Sequence, residues 1–285
     1  MKSKTVRLLL LSAVLSLVAA PAIAGPFILA GTDADDHGSG NATTNFDGWF
    51  FMQRALENLA AAPSLTNGNF LVANLGSDTL TTASSAAASA FTLSSLPGAG
   101  WSFANVDGTT DLEAFFDGTG ATNVNNTGII MMDSGGGNVF GGTSASELAI
   151  FTTNAAIINS FLGGGGGLFS QSNSYGWVSS LLPGLDTPDE FLTGINLTAD
   201  GNSAFPGLTN ADLGAGPYHN RFENFGGLSV FGVGASTQSA IIIGASGGSV
   251  TDPDPPTTAI PETSTVLLVA SGLLGLVAFR RRFRH

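Results

Sequence analysis

A single α/β domain with a mainly parallel sheet, doubly wound by helices on both faces, is the architecture this sequence predicts. Three observations lead to it. Short apolar runs alternate with longer segments whose apolar residues recur every three or four positions. Such alternation implies crossover helices lying against a parallel sheet. The run Gly128-Ile129-Ile130-Met131-Met132 is apolar at successive positions, as a strand covered from both sides must be. No repeat period is visible, which disfavours a solenoid. The 39 glycines and the many Asn, Thr and Ser residues would suit a β-rich sandwich, but two convincing amphipathic helices argue against it.

The elements follow in order. Pro26 to Ala30 reads as a strand that runs into the polar loop Gly31-Thr32-Asp33-Ala34-Asp35-Asp36-His37-Gly38. From Phe46 to Ala62, Trp49, Met52, Leu56 and Leu59 mark one helix face, with Asn45 or Asp47 available as cap. Phe70 to Leu75 is a buried-strand pattern, Asp78 to Leu93 an Ala/Ser-rich helix, Trp101 to Val106 a strand and Asp111 to Phe116 a short helix. Ser144-Ala145-Ser146-Glu147 has capping-box spacing. It opens one helix carrying Leu148, Phe151, Ala155, Ile158 and Leu162, closed by Gly163 to Gly167. Leu168-Phe169-Ser170, Ile195 to Thr198, Leu228 to Phe231 and Ala240 to Ile243 are further strands, and Tyr175 to Leu182 a short helix.

Both ends read as targeting segments. Lys2, Lys4 and Arg7 precede the apolar run Leu8 to Ala20, then Pro21-Ala22-Ile23-Ala24. This is a signal peptide, residues 1–24, with cleavage expected after Ala24. A globular body over 25–248 and a Pro-rich linker over 249–259 lead to the tail, 260–285. There Ile260-Pro261-Glu262-Thr263-Ser264 precedes an apolar run to Phe279, which is followed by Arg280, Arg281, Arg282 and Arg284. The run is short for a bilayer, for which about 20 residues suffice, and the arginines favour its cytoplasmic retention. This layout resembles the PEP-CTERM sorting signal of Gram-negative bacteria, with Thr263 in place of the second proline. The resemblance implies processing at Pro261-Glu262 by an exosortase-type protease, transient anchoring in the inner membrane, delivery to the cell surface or extracellular matrix, and an exopolysaccharide or biofilm setting. A plain C-terminal anchor is the alternative.

Charge sharpens the picture. Seven of the nine basic residues lie in the two ends, so between 25 and 259 only Arg54 and Arg221 face 20 acids, a formal charge of −18. Such a surface repels phosphate, and nucleic-acid binding is excluded as a function. There is no cysteine. Neither disulfides nor a thiol nucleophile is available, and about 235 residues must hold together by their core.

Gly165-Gly166-Gly167-Leu168-Phe169 after a helix, then Ala204-Phe205-Pro206-Gly207-Leu208 and Gly216-Pro217-Tyr218-His219, resemble the class I glutamine amidotransferase-like and ThuA-like flavodoxin-type folds. That implies a ligand site beyond the carboxyl ends of the strands. Glutaminase chemistry is not implied, because the elbow cysteine is missing. The loop after the first strand then becomes the candidate site. Asp33, Asp35 and His37, met by His219 from the last third of the chain, could bind a divalent metal ion. The same loop reads equally as a solvated Asp-rich turn, and Thr44 at position twelve rejects an EF-hand. Ser170 lacks the closing glycine of a nucleophile elbow. Gly163 to Gly167 has no following lysine or arginine to make it a phosphate loop. The expected function is therefore an exported, sorted surface or matrix protein. An exported hydrolase-like or metal-dependent enzyme acting on a small or carbohydrate substrate is the alternative.

Overall fold

The computed structural model describes residues 25–77, 82–132, 142–171, 177–214 and 216–245. The chain divides into two units, Met1–Val250 and Thr251–His285. Cleavage after Ala24, the linker and the tail with Pro261 and Glu262 all lie outside the described residues. Among the described residues no helix is long and apolar enough to cross a membrane.

In chain order the elements are β1 (Phe27–Ala30), β2 (Gly38–Gly40), β3 (Asn45–Asp47), α1 (Gly48–Ala61), β4 (Leu71–Leu75), α2 (Thr82–Thr92), β5 (Ser102–Val106), α3 (Thr109–Asp117), β6 (Ile129–Met132) and α4 (Ala145–Thr153). They continue with α5 (Ala155–Gly163), β7 (Gly167–Gln171), α6 (Val178–Leu181), β8 (Asp189–Thr193), β9 (Ile195–Leu197), α7 (Ala199–Ala204), β10 (Pro217–Asn220), β11 (Ser229–Gly234) and β12 (Ala240–Ala245). Eight strands form one mixed sheet in the order β5-β4-β6-β7-β1-β12-β11-β9. The first five are parallel and the last three extend it antiparallel.

The mainly parallel mixed sheet and its covering helices agree with the predicted class. Strand residues alternate between two cores, as a pleat requires. Ile28, Val72, Ile129, Met131 and Phe169 join α1, α2 and α7, whereas Leu29, Ala73, Ile130, Met132 and Leu168 join α3, α4, α5 and α6. All four side chains of β6 are buried. Each contributes about 1.5–3 kcal/mol through removal from water, which explains why that run was legible in the sequence.

The order of the strands follows from one handedness of crossover. β1 to β4 and β4 to β5 step one way across the sheet with α1 and α2 on one face. β5 to β6 and β6 to β7 step back with α3, α4 and α5 on the other. Reversing both direction and face preserves the hand. A flavodoxin-type order sets the first strand between the second and third; here β1 lies beyond β7, at the far end of the parallel set.

Local departures from the sequence reading have physical causes. The expected long helix from Ser144 is two helices broken at Asn154, which sits at φ −99°, ψ 14°. Thr152, Thr153 and Asn154 all bond back to carbonyls four residues earlier, at Leu148, Ala149 and Ile150, and such back-bonding weakens a helix. The capping box itself forms, and Glu147 also accepts from the Gly108 amide at 2.9 Å. At α1, Asp47 holds the N-cap position as proposed, but neither candidate supplies a capping side-chain bond. Asn45 bonds Gln53 and Ser89, and Asp47 caps with no side-chain hydrogen bond. Asp47 has φ 55° and ψ −129°, a conformation that costs a non-glycine residue about 1–3 kcal/mol.

Candidate functional site

Because α1 and α2 leave one face and α3, α4 and α6 the other, adjacent strands send the chain to opposite faces at three places, of which two gather buried polar side chains. One is between β4 and β6, the other between β7 and β1. Ligands of open α/β sheets sit in such crevices. Each is lined by polar residues carried on apolar strands.

At the β7–β1 crevice the chain leaves β1 through Gly31, where a side chain would collide with the Asn220 carbonyl. That close approach admits β10, which bridges back at Thr32↔Tyr218 and delivers His219 to the loop. The Asp33 Oδ2 atom lies 2.8 Å from His219 Nε2 and 3.3 Å from His37 Nε2. A carboxylate oxygen only accepts, so the His219 ring turns an Nε2–H toward it, while His37 lies at ion-pair distance. Hydrogen bonding to Asp33 raises the His219 pKa above the ordinary 6.5, opposed by partial burial and assisted by the charges of Asp33 and Asp36. Among the described residues, the second oxygen of Asp33 and His219 Nδ1, both buried, have no hydrogen-bond partner. Phe191, 66% exposed, sets its ring edge-on to His219 at 5.4 Å.

The structure thus brings together three of the four expected ligands, Asp33, His37 and His219. Asp35 is fully buried, and its Oδ1 accepts from Gln171 Nε2 of β7 at 3.2 Å. Trp49 Nε1 donates to the Asp35 carbonyl at 2.8 Å, tying the loop to α1. Among the described residues no group of three or more His, Asp or Glu side chains has the arrangement of a metal site. Ser170 lies within β7 and is buried, so it is not displayed at an elbow.

At the β4–β6 crevice, Asn74 is fully buried and its Nδ2 donates to Ser77 Oγ at 2.8 Å and Asn105 Oδ1 at 3.0 Å. Its Oδ1 has no hydrogen-bond partner among the described residues. Gly76 follows at φ 82° with Thr143 against it. Gln171, Phe191 and Asn74 are site residues that sequence reasoning missed. The residues they meet lie 136, 28 and 31 positions away, at separations no local pattern encodes.

No family model matches the chain, and neither a curated protein nor a solved structure resembles it significantly.

Proposed function

We propose that this is an exported protein of the cell surface or extracellular matrix, sorted through its PEP-CTERM-like tail. Its acidic body would act as a binding module in an exopolysaccharide setting. The observation that carries this reading is the fate of the body's two cations. Arg54 Nη1 is bonded to Glu57 at 2.8 Å, both buried, and Arg221 is held by Glu190 at 3.0 Å and Glu223 at 2.9 Å. Arg54 is buried and Arg221, 31% exposed, is held between two carboxylates, so the surface of the body offers polyanions little positive charge and favours neutral or cationic ligands. Exosortase-type processing and transient residence in the inner membrane belong to the same proposal. Cell fractionation with mass spectrometry of the mature termini, with and without the host's sorting protease, tests it. The expected product begins at Gly25 and lacks Arg280 to Arg284. A mature protein that keeps those arginines reduces the tail to a plain anchor, and a cytoplasmic chain starting at Met1 overturns export.

A second reading, an exported metal-dependent or hydrolase-like enzyme, is favoured by one observation: Asp33, His37 and His219 converge beside a crevice of the sheet. A divalent ion would have to displace the proton between His219 Nε2 and Asp33. Stoichiometric metal in the purified protein, lost on Asp33→Ala, with a melting temperature lowered by EDTA, would support it. Metal-free protein whose melting temperature EDTA leaves unchanged refutes it.

A further inference from the structure

The Asp47–Gly48 peptide joins β3 to α1 beneath the candidate site. A ψ of −129° at Asp47 has a chemical consequence. Around the Cα–C bond, Cβ stands about 120° from the backbone nitrogen, so this ψ leaves the Cβ–Cα–C–N torsion at about −9°. The side chain and the Gly48 nitrogen are therefore nearly eclipsed. That is the geometry of a five-membered ring through Cγ, Cβ, Cα, C and the Gly48 nitrogen. Gly48 has no side chain to obstruct closure. The Asp47 carboxylate makes no capping hydrogen bond to the helix it precedes, so no cap offsets the unfavourable φ.

We infer that Asp47–Gly48 is a self-modification site, poised to form a succinimide and from it an isoaspartyl bond. The Gly48 nitrogen attacks Asp47 Cγ. An N–Cγ bond forms, a Cγ–O bond breaks, and the hydroxyl leaves with the amide proton as one water. Water then adds back either at Cγ, restoring Asp47, or at the main-chain carbonyl, leaving the chain routed through Cβ. No oxidant or further reactant is required.

Only the Gly48 amide bond to the His37 carbonyl, at 3.1 Å, restrains the nucleophile. The same bond links the reaction to the site. An isoaspartyl product lengthens the main chain by one carbon where Gly48 packs against the Ala34 carbonyl with no room for a side chain. The loop bearing Asp33 and His37 must then move. Three other Asp–Gly pairs occur, at Asp107, Asp117 and Asp200, and the last two serve as internal controls. Asp117 and Asp200 are helical, and at a helical ψ of about −42° the same torsion is about 78°, far from closure.

Incubation of the purified full-length protein at 37 °C, with peptide mapping and enzymatic methylation of isoaspartate, tests the inference. Native protein should accumulate isoaspartate at Asp47 about tenfold faster or more than at Asp117 and Asp200, a small part of what fixed near-attack geometry can supply. In denaturant the three sites should react alike. Asp47→Gly accepts the same φ, should fold, and should remove the modified peptide. Equal rates in the native protein, or reaction at Asp47 only after unfolding, overturn the inference.

Discussion

The Asp33–His219 bond should make the protein less stable as pH rises through the imidazole range, and His219→Gln should abolish that slope. The folded-state pKa of His219 is raised by its bond to Asp33. The folded protein therefore holds the proton more tightly than the unfolded chain. The stabilisation is fully present below the unfolded value and is lost as pH passes the folded one. A charge-assisted hydrogen bond is worth about 1.5–3 kcal/mol. The side chains are 20% and 11% exposed, so moderate screening places this pair near the lower end, about 1.5 kcal/mol. Asp36 and His37 also face the pair, so single unfolding curves would mix several titrations. The measurement is the wild-type minus His219→Gln difference in urea-unfolding free energy from about pH 5.5 to about pH 8.5. It should shrink with pH. A difference that stays constant, or grows toward alkaline pH, refutes the reasoning.

Three further outcomes can be measured by the same unfolding assay. Arg54→Met strands Glu57 in a buried setting and should cost about 3–5 kcal/mol, whereas Arg54→Met with Glu57→Leu should recover most of it. Phe51 is fully buried between Phe169 and Phe205, ring centres 5.7 and 5.4 Å away. Phe51→Ala should therefore cost about 3–5 kcal/mol, and a loss under about 1 kcal/mol would show that α1 is not seated on β7 and α7 as described. Ser144→Ala should cost about 1 kcal/mol as a lost cap. Glu147→Ala should cost more, because its carboxylate also holds the Gly108 amide.

Legibility tracked burial. β6, β4 and β12 were readable because apolar runs buried on both faces leave nothing else for a strand to be. The capping box at Ser144 was readable because its donors and acceptors are three residues apart. β8 and β10 were missed, since a two-stranded ribbon needs no apolar face, and Pro217-Tyr218-His219-Asn220 carries no alternation to recognise. The break at Asn154 was hidden because the apolar spacing carries straight through it. Of the candidate site, Asp33, His37 and His219 were named from the sequence, but Asp35 was placed with them only because it is close in number.

By itself the sequence determined the strand–helix alternation, the acidic body and the confinement of nearly all basic residues to the two ends, since these depend on composition and local periodicity. Tertiary structure alone decided the strand order, the pairing of Arg221 with Glu190 and the meeting of Asp33 with a histidine 186 residues away. It also decided the eclipsed Asp47. Each of these is set by which distant surfaces pack together, and a chain of one-letter neighbours carries no record of that until the core has closed.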